Sequence, residues 1–252
     1  MTGAPPRIMI VGDSISQGRE GDHTWRYRFW RALLDREIAA RFVGPWKGTW
    51  VPSAVWPDER PVHPARPDDP AHNGAYRRGI HFPACRHYAS WGRLLHEAKD
   101  NIAGAVAAFE PDWLLVALGF NDLAWGVSGP DRVLADLSAF VERARAARPT
   151  VRFLVGNVVP RTPLPEHPHL ADDTAACNRE LPALLAALST DRSKVVPVDM
   201  AGVYDPRVDS YDGVHPNISG EIKIAAAFSA VFLQALGLAP GGVSAPPAAA
   251  FR

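Results

Sequence analysis

A serine attacks an acyl carbon only when a base within hydrogen-bond reach takes its proton and a third group orients that base. Ser14 stands in Gly12-Asp13-Ser14-Ile15-Ser16, directly after the apolar run Ile8-Met9-Ile10-Val11. Histidine is the usual base because its ordinary pKa lies near neutrality. Of nine histidines, His63, His72, His81, His87, His167 and His169 have no distinguishing context, whereas His215 follows Asp212 by three residues in Asp212-Gly213-Val214-His215-Pro216. Across a glycine turn, that spacing lets the carboxylate meet Nδ1 and leaves Nε2 for the serine. Asn121, in Gly119-Phe120-Asn121-Asp122, offers an amide that can bond an oxyanion. Each feature also has a plainer reading. Ser14 could cap a helix, and Asp212-Gly213 could be a turn with an incidental histidine before a helix-starting proline. Asp13, Asp122 and Asp199 read as structural carboxylates that bond loop N–H groups or cap helices.

The elements that would position these residues follow from periodicity. Short continuous apolar runs predict buried strands at Ile8–Val11, at 112–118, at 151–159 and at 195–198, with a further strand at 41–44. Apolar residues at helical spacing predict helices over 22–40, 90–110, 131–148, 172–190 and 217–236. Pro182 either kinks the fourth of these helices, over 172–190, or marks its true start. Alternation of strand and helix predicts an α/β fold: a flavodoxin-like three-layer α/β/α sandwich with a five-stranded parallel sheet in the order 2-1-3-4-5. Ligands of such sheets bind outside the carboxyl ends of the strands at the switch point between the first and third. Ser14 ends the first strand and Asn121 follows the third, so the topology brings them together. We expect one domain over 7–237, disordered ends at 1–6 and 238–252, and a long irregular insertion at about 45–83. The aromatic content of that insertion argues for an ordered cover.

Composition narrows the class. Twenty-seven basic and 27 acidic side chains in 252 residues give no electrostatic case for nucleic acid or an anionic membrane as partner. No window reaches the apolar length of a bilayer span. No basic-then-apolar leader precedes the first strand, so the expectation is a cytoplasmic protein or a trimmed mature form. Cys85 and Cys177 lack metal or redox spacing and are expected to be unpaired thiols. No GxxxxGK[ST] or GxGxxG follows the first strand, which leaves a phosphate-cradling binding module unsupported.

The blocks Gly12-Asp13-Ser14-Ile15-Ser16, Gly119-Phe120-Asn121-Asp122 and Asp212-Gly213-Val214-His215-Pro216 resemble, in order and placement, blocks of the SGNH (GDSL) hydrolase superfamily. The resemblance spans about residues 7 to 237. The wording of 21–28 and 118–123 is similar to a bacterial group of GDSL esterase/lipase-like proteins. The resemblance implies that Ser14 is the nucleophile and gives an N–H to the oxyanion hole. It makes Asn121 a second oxyanion donor, His215 the base and Asp212 its orienting partner. The family's remaining block supplies an oxyanion glycine. Here the match is loose: His87-Tyr88-Ala89-Ser90-Trp91-Gly92 favours Gly92, with Gly79 and Gly74 as rivals.

The resulting expectation is a serine hydrolase of carboxylic esters (an esterase, lipase-like enzyme or deacetylase) acting on a small-molecule ester through an acyl-enzyme, with no cofactor and no metal. The alternatives are an acyltransferase, thioesterase or lactone-forming enzyme using the same site, and a non-catalytic flavodoxin-like binding module. A metal-dependent phosphatase built on Asp13, Asp122 and Asp199 has no supporting spacing. Trp50, Trp56, Tyr76 and Trp125 are candidates for the substrate pocket, since aromatic walls suit a sugar face or an apolar acyl chain.

Overall fold

The computed structural model describes residues 4–51 and 70–239. Strand β1 (Arg7–Gly12) lies inside a parallel sheet, paired along both of its edges. With β2 (Arg41–Phe42), β3 (Tyr88–Ala89), β4 (Trp113–Ala117), β5 (Arg152–Gly156) and β6 (Val195–Val198), the order is β2-β1-β4-β5-β6. The expected order therefore holds, but the sheet has six strands and not five. The extra strand, β3, has two residues and pairs with Val11 and Gly12, while β2 pairs with Arg7 and Ile8 on the same edge of β1. So short a strand, flanked by irregular chain, leaves no period in the sequence. It matters because it delivers the chain to the carboxyl end of β1.

Helices α1 (Ser14–Gln17), α2 (Trp25–Leu34), α3 (Leu95–Phe109), α4 (Phe120–Ala124), α5 (Pro130–Ala147), α6 (Leu170–Leu188) and α7 (Ile218–Ala235) complete the layers. Helices α2 and α7 pack together, as do α3 with α5 and α5 with α6. Strands β1 and β4 are almost fully buried, as their unbroken apolar runs require in a sheet covered on both faces. The α2–α7 layer is pinned by aromatic contacts: Trp25 stacks on Phe228 at 4.7 Å, and Phe29 meets Phe232 edge-on at 5.7 Å. Helix α7 is long and apolar enough to cross a bilayer, contrary to the expectation that no window is. Its Ile224, Phe228, Phe232 and Leu233 are instead packed in the core.

Two helices are shorter than their periodicity suggests, for local reasons. Helix α2 ends at Leu34 because Glu37 turns left-handed (φ 56°) and the Ile38 N–H returns to the Leu33 carbonyl at 2.9 Å. No Gly or Pro announces that stop. Helix α3 begins five residues late, because Ser90–Leu94 form a loop and not a first turn. Helix α6 begins at Leu170 and continues through Pro182 without ending.

The described parts of the insertion are ordered. Trp46 bridges His87 and Thr49 bridges Gly74, both antiparallel, and Trp50 pairs in parallel with Arg19. Trp46 is buried and stacks on His72 at 3.7 Å. Residues 52–69, Trp56 and His63 among them, lie outside the described residues, as do 1–3 and nearly all of the expected tail. Cys85 and Cys177 are both free thiols.

Candidate active site

The site is assembled at the carboxyl ends of β1 and β4. Strand β1 stops at Gly12, and Asp13 caps the next turn by accepting the Ile15 N–H at 2.9 Å. The cap is thus Asp13, and Ser14 is the first residue of α1, buried apart from 5% of its surface. Burial and the neighbouring Asp122 carboxylate push the Asp13 carboxyl up to about 7.

His215 arrives from the loop before α7. Its Nε2 lies 2.9 Å from Ser14 Oγ, across 201 residues of sequence. Its Nδ1 lies 2.6 Å from Asp212 Oδ2. The other Asp212 oxygen accepts the backbone N–H groups of His215 at 2.8 Å and Val214 at 3.1 Å. Burial works to raise the Asp212 pKa, but these bonds from the His215 backbone and ring and from Val214 outweigh it and hold the carboxyl below its ordinary value. The loop is fixed at both ends. Tyr204 donates its hydroxyl to the Val214 carbonyl at 2.8 Å, and Asn217 caps α7 by accepting from Ser219 and Gly220. This serine, imidazole and carboxylate can pass a proton from Oγ to Nε2 while Nδ1–H stays bonded to the acid.

Asn121 is the second residue of α4, buried, and donates one amide hydrogen to the Arg93 carbonyl at 3.1 Å. An amide carries two hydrogens, so one remains for a ligand. Arg93 belongs to the loop that leaves β3. Ser90 N–H bonds Gly12 O at 3.1 Å, Trp91 N–H bonds Gln17 Oε1 at 2.6 Å, and Arg93 Nη1 bonds Tyr88 O at 2.6 Å. Between them Gly92 holds φ at +72°, a conformation that a side chain would strain. Among the described residues, neither the Gly92 N–H nor the Ser14 N–H has an acceptor. The rival glycines are placed elsewhere: the Gly74 N–H is bonded to Thr49 O at 2.9 Å, and Gly79 sits in an exposed turn.

The three acidic residues set aside in the sequence have structural tasks. Asp13 caps α1. Asp122 accepts the Leu95 and His96 N–H groups at 2.8 and 2.9 Å, and so caps α3 from a distant part of the chain. Asp199 accepts from Gly202 N–H and from the Asn157 amide, both at 2.8 Å. Replacing Asp122 with alanine strands two donors at the start of α3, the buried Leu95 N–H and the part-buried His96 N–H. We expect a loss of about 1–3 kcal/mol, measured as a lower urea midpoint with an unchanged slope.

Of the aromatic candidates, Trp50 stacks on Trp91 at 4.3 Å, Tyr76 packs edge-on against Phe82 and bonds the Lys47 carbonyl, and Trp125 ends α4 with 46% of its surface exposed. The structure therefore gives Tyr76 a place within the insertion's own packing. Sequence reasoning missed Trp91 and Tyr211, whose rings lie near-parallel to the His215 imidazole at 4.5 and 5.7 Å. It also missed Gln17, which anchors the Trp91 backbone. Only the adjacency of Trp91 to Gly92 could have drawn notice to it.

By sequence, no curated protein matches the chain significantly. By structure, it is similar to a carbohydrate esterase family 3 protein from Talaromyces cellulolyticus at 24% identity, with 92% of this chain and 98% of that one covered and a TM-score of 0.71. It is similar to an acetyl esterase, carrying a serine-to-alanine substitution and an acetate ion, at 23% identity over 92% and 98% of the two chains with a TM-score of 0.70. A family 3 carbohydrate esterase of Clostridium thermocellum aligns at 22% identity over 92% and 99% with a TM-score of 0.64. At these identities the likeness shows a shared α/β fold. The family model for GDSL-like lipases and acylhydrolases matches residues 10–221, from within β1 to the first turn of α7. The chain belongs to the GDSL-like lipase/acylhydrolase family and is an ester hydrolase of that family.

Proposed function

We propose that the chain hydrolyses esters of short acyl groups through an acyl-enzyme on Ser14. The observation that carries this reading is the continuous run of bonds from Ser14 Oγ to His215 Nε2 at 2.9 Å and from His215 Nδ1 to Asp212 at 2.6 Å. In the proposed reaction His215 takes the Ser14 proton as Oγ attacks the ester carbon. The Ser14 and Gly92 N–H groups and the free Asn121 amide hydrogen stabilise the oxyanion that forms. When the tetrahedral adduct collapses, His215 returns the proton to the leaving alcohol. Water, deprotonated by the same imidazole, attacks the acyl carbon, and His215 returns that proton to Ser14 Oγ as its bond to the acyl carbon breaks and the acid leaves. Asp212 stays ionised throughout and stabilises the imidazolium. Its depressed pKa supports that role.

The neighbours bear on the substrate. Two are named carbohydrate esterases, and one is an acetyl esterase holding acetate. An acetyl ester on a sugar is therefore the substrate class favoured here. The test is mass spectrometry of the protein quenched during turnover of acetylated sugars and of a series of aryl esters. An acetyl adduct on the peptide carrying Ser14 is expected. A folded, active protein that never shows an acyl adduct, and is not labelled by a serine-directed phosphonate, would overturn the acyl-enzyme reading.

A further inference from the structure

The imidazole of His215 belongs to a ring stack that reaches into the insertion. Trp91 faces it at 4.5 Å with planes 21° apart, and Trp50 faces Trp91 at 4.3 Å and 24°. Two rings this close to Trp91 cannot share one face of it without overlapping, so Trp91 lies between Trp50 and His215. Beside the imidazole, Tyr211 is near-parallel at 5.7 Å and carries the Arg19 guanidinium 3.7 Å above its own ring. The stack closes on itself, because the Arg19 backbone pairs with Trp50. Trp50 N–H bonds Gly18 O at 2.8 Å, and Glu20 N–H bonds Trp50 O at 2.9 Å. Trp91 is held independently by its N–H on the buried Gln17 side chain at 2.6 Å. The strand-like start of the insertion is thereby tied to the loop after α1.

We propose that Trp91, backed by Trp50, is a positioning residue for His215. The proposal rests on the reading of Ser14, His215 and Asp212 as a catalytic set. Both bonds of the imidazole lie in its ring plane, so a turn of the ring about its bond to Cβ breaks both at once. A parallel indole at stacking distance blocks that turn. The same π face meets the imidazolium when His215 takes the serine proton, an interaction stronger with the charged ring than with the neutral one. Because both faces of Trp91 are covered, it is not a platform for substrate. Trp50 takes the role of a backing plate and not of a pocket wall.

The experiment compares Trp91→Leu, Trp91→Phe and Trp50→Leu with the parent protein and with Ser14→Ala, using p-nitrophenyl acetate. Trp91→Leu should lower kcat about tenfold and leave KM within about threefold, since a loosened base costs rate and not binding. Trp91→Phe should recover most of the rate, and Trp50→Leu should fall between. The low-field proton resonance of the short Nδ1–H bond to Asp212 should be present in the parent and in Trp91→Phe. It should be broadened or lost in folded Trp91→Leu. A merely structural role would not move that resonance in a folded protein. If Trp91→Leu does not fold, Trp50→Leu carries the same two readouts. Parent-like kcat and resonance in the folded leucine variants overturn the clamp while an inactive Ser14→Ala leaves the catalytic set standing. A fully active Ser14→Ala overturns the catalytic set itself. A raised KM with parent-like kcat in Trp91→Leu overturns the clamp in favour of a substrate contact.

Discussion

Ser14→Ala should lower kcat for short-chain aryl esters by at least about ten-thousandfold while leaving the fold intact. The magnitude follows from what the hydroxyl does. It is the atom that forms the bond to the acyl carbon, and no neighbouring oxygen can replace it. Ser16 is fully buried, and its hydroxyl accepts from the Trp25 indole at 3.3 Å. The fold should persist because the Ser14 side chain bonds nothing but His215 among the described residues. The turn it begins is capped by Asp13, which the substitution does not touch. A change in stability of at most about 1 kcal/mol is expected. Activity assays, with far-ultraviolet circular dichroism and the thermal midpoint as controls, check both halves. A folded variant with parent-like turnover sinks the nucleophile assignment. Phosphonate labelling should vanish in parallel, since Asp212 and His215 alone cannot form the adduct.

The depth to which the sequence could foresee this site varies by residue, and the reason is physical. Ser14 and Asn121 were legible because each follows an apolar run that can only be a buried strand, and a parallel sheet gathers such strand ends at one edge. His215 and Asp212 were legible because three residues across a glycine suffice for their contact. What local pattern did not reveal depends on contacts between distant segments. The cap of α3 is Asp122, 27 residues beyond Leu95, so the helix could not be seen to start late. The end of α2 rests on a left-handed Glu37, a conformation that residue type does not announce. Strand β3 is two residues long and exists because β1 offers Val11 and Gly12 as partners. Trp91 looked like one more indole in an irregular stretch. Its meaning comes from His215, 124 positions later, and from Trp50, 41 positions earlier. Gly92 could be preferred only loosely in the sequence. The structure favours it over Gly74 and Gly79 because its loop is bonded to Gly12, Gln17 and Asn121, each a part of the strand-end assembly.

Asn121→Ala should lower kcat by about 10²- to 10³-fold with KM little changed, corresponding to about 2.7–4 kcal/mol of lost transition-state stabilisation. The split between kcat and KM is the informative part. A donor aimed at the ground-state carbonyl would help substrate and transition state alike and would show in KM. One aimed at the oxyanion contributes only after Oγ has attacked. Asn121 is suited to the second role because one amide hydrogen is already committed to the Arg93 carbonyl at 3.1 Å, which fixes the direction of the other. The same bond means that the variant also loses an internal contact, worth about 1 kcal/mol of stability, so a small fall in thermal midpoint should accompany the rate. That contact joins α4 to the loop holding Gly92, and its loss loosens a second proposed donor. The measured fall in kcat therefore reports both donors, and a double variant that also replaces Gly92 should fall by less than the product of the single effects. Labelling by a serine-directed phosphonate should continue, more slowly, because Ser14, His215 and Asp212 remain in place. Unchanged kcat with a raised KM would assign Asn121 to substrate binding and leave the oxyanion to the backbone N–H groups alone.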